Sequence, residues 1–185
     1  MAFIISGGNV VSYAEAEDVR DKDQRLFEAN EFTLTNLPDT PATLNDYIED
    51  LTTKATGRIN QKIRASAQWR EYLGYVGADY SINDIPDFNP NLILERKSDF
   101  TDMCAYYTLK EYLLPRVADF GNPESAEVQK IEYYSRKFED LFGELLAVMD
   151  WYDYDNSGSI TDDDRVIRVS LTRRTRSRRS VVRVR

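Results

Sequence analysis

Residues 153–164 read Asp-Tyr-Asp-Asn-Ser-Gly-Ser-Ile-Thr-Asp-Asp-Asp. Oxygen donors recur there at the spacing of a calcium loop. Asp153, Asp155 and Ser157 occupy positions 1, 3 and 5, Gly158 the turn at 6, Ser159 a carbonyl donor at 7, Ile160 the apolar position 8, and Asp164 position 12. A hard cation binds such clustered oxygens, and glycine permits the sharp turn. Two departures stand against it. Position 12 is Asp instead of the longer bidentate Glu, and the next segment reads as a strand where an exiting helix belongs. Ca2+ is therefore one reading. A solvated acidic turn after a helix, pairing with Arg165 or Arg168, is the other. Acids at a helix C-terminus oppose the macrodipole, which a cation would relieve.

Other chemistry is sparse. The chain has no histidine. This removes the usual general base, the commonest zinc ligand and the physiological pH switch. Ser-His-Asp, Cys-His and histidine-zinc mechanisms are excluded. Asp99 and Asp102 lie one helical turn apart, but acids at that spacing are commonplace on surfaces. The expectation is no enzyme, and no cofactor besides the Ca2+ question. The single cysteine, Cys104, excludes an internal disulfide and reads as a small buried hydrophobe.

Nine arginines and no acid follow the loop: Arg165, Arg168, Arg173, Arg174, Arg176, Arg178, Arg179, Arg183 and Arg185. That leaves 15 of the 24 basic residues against all 32 acidic ones in the first 164 positions, a balance of −17 facing +9. Such polarity suits a chain that plugs into something. The segment could contact nucleic-acid phosphate, remain a solvated extension, or add strands to an acidic partner. Val166, Ile167, Val169, Leu171, Val181, Val182 and Val184 favour the third, since pure electrostatics needs no β-formers. The acidic body argues against nucleic-acid binding there.

The rest of the 185-residue chain must supply the scaffold, and 42% hydrophobic with 30% charged residues overall is a globular composition. No apolar run has membrane-spanning length. Residues 1–13 are apolar with a Gly-Gly and are expected to form an extended arm, docked on a neighbour. Residues 14–30 are helix-prone, with Val19, Leu26 and Phe27 as apolar positions, giving one short helix or two. Pro38 and Pro41 punctuate the chain. A long helix is expected over 43–73, because Leu44, Ile48, Leu51, Ala55, Ile59, Ile63 and Ala67 recur at spacings of three and four. Residues 74–91 read as a loop or short hairpin. Asn89-Pro90 is a helix-start signal, opening a helix to about Leu114 through Ile93, Phe100, Met103, Cys104 and Tyr107. Pro115 ends or kinks it. Asn122-Pro123 repeats the signal, and a helix to about Tyr152 carries Val128, Ile131, Tyr134, Phe138, Leu141, Leu145, Val148 and Met149.

The expected fold is mainly α: an antiparallel helical bundle over 14–152, an N-terminal arm over 1–13, the acidic loop at 153–164, and a β-prone basic extension over 165–185. Trp151 and Tyr152, left over from the last helix's core face, suit a partner interface together with the nine arginines.

Several stretches resemble the small virion neck proteins of tailed bacteriophages, the head-to-tail connector or head-completion adaptor family. They are Asp-Gln-Arg-Leu-Phe-Glu-Ala-Asn-Glu at 23–31, Asp-Phe-Thr-Asp at 99–102, Tyr-Leu-Leu-Pro-Arg-Val-Ala-Asp-Phe at 112–120, Gln-Lys-Ile-Glu-Tyr-Tyr at 129–134 and Asp-Trp-Tyr-Asp at 150–153. The resemblance covers most of the helical body and includes no catalytic motif. It implies a non-enzymatic helical bundle with extended arms, forming a ring of about twelve copies beneath the portal. Its partners would be itself, the portal protein and a tail or tail-terminator protein, with channel DNA a further contact and no membrane. The ring would bridge head to tail and help retain the packaged genome, in a virion neck assembled in the host cytoplasm. The basic extension and the calcium-like loop are no part of that resemblance. A calcium-responsive protein-binding module built on 153–164 is the alternative.

Overall fold

The computed structural model describes residues 3–28, 43–75, 87–122 and 124–161. The expectations for 38–41, for Asp164 and for the strands after it lie outside the described residues. Two units divide the chain, one from residues 1–59 and 97–144, the other from 60–96 and 145–185. The mainly α expectation holds, and the described residues add one two-stranded sheet.

The first unit begins with β1 (Ile4–Ser6) and β2 (Asn9–Ser12), paired antiparallel. The expected arm is thus folded on itself and packed on its own chain. Gly7 and Gly8, at φ 58° and 82°, form the two-residue turn that only such backbones reach cheaply. Phe3 and Tyr13 pack at a tilt 4.9 Å apart, and Tyr13 meets Phe100 edge-on at 5.3 Å. The Thr101 hydroxyl donates to the Tyr13 carbonyl at 2.8 Å.

Of the two options for 14–30, the chain takes two helices, α1 (Ala16–Lys22) and α2 (Gln24–Glu28). Asp23 separates them. Its Oδ1 accepts the Leu26 N–H at 3.3 Å, and its carboxylate pairs with Lys130 Nζ at 2.9 Å. Asp23 is buried while Lys130 is a third exposed. Lys130→Met is therefore expected to destabilise by about 2–3 kcal/mol, less than a fully buried pair would lose. Adding Asp23→Asn, which keeps the cap, should recover part of that loss. Urea denaturation of the parent, both single variants and the double variant measures it.

The expected 43–73 helix is broken into α3 (Leu44–Ala65) and α4 (Ala67–Tyr75). Ser66 makes the break by offering its Oγ to the Trp69 N–H at 3.1 Å, as an N-cap does. The Asn89-Pro90 signal is real but opens only one 3-10 turn, Pro90–Leu92, with Asn89 Oδ1 accepting the Asn91 N–H. Ile93 then bridges Tyr152 in extended conformation, and Arg96 takes φ 54°. The helix waits until α5 (Lys97–Thr108). Pro115 does not end it. A π turn over Leu109–Leu113 lets the Leu114 N–H reach the Leu109 carbonyl, and α6 (Leu114–Val117) continues past the proline.

The last helix, α7 (Ala126–Val148), is shorter than expected at both ends. Ser125 Oγ takes the Val128 N–H and becomes the cap. Met149 adopts φ 50°, a left-handed stop that a side chain ordinarily avoids, and burial holds it there. Ala16, Val19, Leu26, Ile48, Leu51, Leu109, Leu113 and Tyr134 form the first unit's helix-on-helix core.

Candidate functional site

In the second unit, an aromatic core positions the acidic loop. Trp69 meets Phe88 edge-on at 5.3 Å and Tyr152 at 5.6 Å, and Phe88 meets Tyr152 at 5.2 Å. Tyr72 packs on Tyr154 at 4.7 Å and donates its hydroxyl to the Tyr154 carbonyl at 3.2 Å. Trp151 Nε1 donates to the Leu145 carbonyl at 2.7 Å. The Asp153 N–H bonds the Leu92 carbonyl at 2.9 Å. Burial, and after it the neighbouring Tyr72, push the Tyr152 phenol's pKa upward.

This packing corrects one expectation. Trp151 and Tyr152 are 1% and 4% exposed, so neither has surface left for a partner. They close the unit's own core. Sequence spacing placed them at the end of a helix, whereas the chain leaves the helix at Val148 and turns them inward.

From this anchor the loop curls around Asp153. One Asp153 oxygen accepts the Ser157 N–H at 3.1 Å and the other the Gly158 N–H at 2.8 Å. Asp155 Oδ1 also accepts the Ser157 N–H, at 3.0 Å. Hydrogen bonding, chiefly from Ser157, holds the Asp155 carboxyl below its ordinary pKa. Gly158 takes φ 86°, the conformation its position requires. Asp153, Asp155 and Ser157 are therefore gathered in one turn. The Ser157 hydroxyl donates to the Ser159 carbonyl at 2.9 Å, so two of the expected donors satisfy each other. Among the described residues no three acidic, cysteine or histidine side chains are grouped to hold a metal. Asp164 lies outside them. The loop also begins beyond the helix end, so the macrodipole gives Asp153 no reason to seek a cation. The internal bonding fits an acidic turn and leaves Asp155 facing solvent.

Comparison of the chain with protein-family models, curated proteins and solved structures finds no match. Function must be argued from the residues.

Elsewhere, three groups that could act chemically are tied into the packing. Cys104 is fully buried among Thr52 and Thr56, and burial pushes its thiol to about 11. Lys110 is 9% exposed, with its ammonium 4.8 Å from the Phe138 ring centroid, 5.2 Å from that of Tyr107 and 3.2 Å from Glu111. Asp102 pairs with Lys22 at 2.8 Å, so it does not act with Asp99 as an isolated acid pair. No described helix is long and apolar enough to cross a membrane.

Sequence reasoning overlooked the open surface of the first unit. Ile5 is 64% exposed, Phe120 66% and Tyr133 54%. Only Ile5 had a legible signal, since Gly7-Gly8 between apolar residues marks a hairpin.

Proposed function

We propose that this chain is a structural virion protein that forms a connector ring in a tailed bacteriophage. The ring joins the portal of the head to the tail and helps retain the packaged genome. The observation that carries the reading is charge polarity: −17 over the first 164 residues and +9 over the last 21. A mainly α body followed by a basic segment rich in β-branched residues suits an adaptor whose body packs in a ring while the segment reaches an adjoining protein. Stretches that carry the resemblance fall on the body's packed elements, including Phe100 and Thr101 in α5 and Tyr134 in α7. The absence of histidine and the structural engagement of Lys110 favour assembly over catalysis.

Mass measurement of particles assembled with portal protein tests this. A discrete increment is expected, of about twelve copies if the resemblance to connector proteins holds, closed into a cyclic ring. A chain that stays monomeric in the presence of both portal and tail proteins refutes it.

A second reading, a calcium-responsive binding module, draws on the Asp153 turn with its glycine at φ 86°. Calorimetry decides it. The mutual bond between Ser157 and Ser159 leads us to expect calcium binding no tighter than about millimolar, the weak end of the range for such loops. Micromolar binding abolished by Asp153→Asn would favour the module instead.

A further inference from the structure

We propose that the outer edge of β1 accepts residues 166–171 of a neighbouring copy as a third strand. The sheet is two-stranded among the described residues, so β1 has a ladder on one side only. Native edges are guarded by charge, proline, bulges or a covering element. β1 is Ile-Ile-Ser and has neither charge nor proline. The pairing shifts between Ile4↔Ser12 and Ile5↔Val10, which places the extra residue, Val11, on β2 and leaves β1 regular. Ile5 stands 64% exposed on it. The hairpin is also a fixed template, because Phe3 and Tyr13 anchor it on Phe100.

The occupant follows from chemistry. Residues 166–171, Val-Ile-Arg-Val-Ser-Leu, combine strand propensity with a positive charge, and Arg165 precedes them. The hairpin leads directly into α1, whose start presents Glu15 and Glu17 to solvent. Donor and acceptor are different surfaces of one chain. Pairing between copies is therefore head-to-tail, the arrangement that builds rings where the rotation between copies closes. Backbone ladder bonds would supply affinity and the arginines orientation. The proposal deepens the ring reading, but its test does not require a portal.

Disulfide mapping tests it in the full-length chain. Cys104 can remain, being buried with a thiol raised to about 11. A chain with Ile5→Cys is mixed with chains carrying single cysteines at each of positions 166–171. Crosslinked heterodimers are expected, with yields alternating from one position to the next, since only every second side chain shares a face. Ile5→Lys, at an exposed position that folding tolerates, should weaken self-association about fivefold through loss of the cross-strand pair. No crosslink, or a flat yield profile, overturns the proposal. Alternating crosslinks without portal attachment would uphold it while refuting the connector. Portal-bound rings without the crosslinks would do the reverse.

Discussion

A chain ended after Asp164 is expected to lose its place in portal-containing particles while its body melts as before. Among the described residues the last buried one is Tyr154, so the cut removes none of the described core. The truncation removes all nine arginines of 165–185 and every strand-forming residue between them. Exposed ion pairs are worth about 0.2–1 kcal/mol each. Nine of them lost together weaken attachment at least about twentyfold, before any ladder bond is counted. Twelve copies would gather roughly a hundred such charges near the ring axis, so channel DNA is a rival partner to the portal. A second truncation, after Leu171, separates these contributions. It keeps the segment proposed to join neighbouring copies and removes seven arginines. Particle occupancy by quantitative gel, beside thermal melting of the free chain, reads both effects. Normal occupancy of the shorter chain would show that the segment is not the anchor.

Trp151→Ala is expected to be the most damaging single change in the second unit, costing about 3–5 kcal/mol. Its indole is 1% exposed and contacts Phe88 and Tyr152 edge-on at 6.0 and 5.7 Å. The Nε1–H also bonds the Leu145 carbonyl, one of the C-terminal acceptors of α7. Removing the ring leaves a cavity against Phe88 and Tyr152. Trp151→Phe keeps much of the volume but loses the hydrogen bond, and should cost about 1–2 kcal/mol. Urea denaturation followed by far-ultraviolet circular dichroism measures both variants. A cost under about 1 kcal/mol for the alanine variant would contradict the packing described.

The helices and their apolar faces were legible because helical periodicity is a local property. Leu44, Ile48, Leu51, Ala55, Ile59, Ile63 and Ala67 are named by spacing alone, and all but Leu44 and the exposed Ala67 are buried. Helix ends were less legible. Asn89-Pro90 and the Asn122 side chain, which accepts the Glu124 N–H, are true local signals, yet a competing partner moved the start in each case. Ile93 pairs with Tyr152, and Ser125 caps α7 three residues after Asn122. Such competition depends on residues far away in sequence, which spacing does not report.

By itself, the sequence determined the class of this protein: mainly α, acidic in its body and basic at its end, without the histidine most catalysis needs. Composition and period suffice for that, because charge sums and helical faces require no knowledge of neighbours. Tertiary structure alone decided which residues are surface and which are core. It turned Trp151 and Tyr152 inward, paired Asp23 with Lys130 across more than a hundred positions, and left Ile5 on an open strand edge. The reason is physical. Burial is shared among segments distant in sequence, and an aromatic residue suits a core as well as an interface until its neighbours are in place.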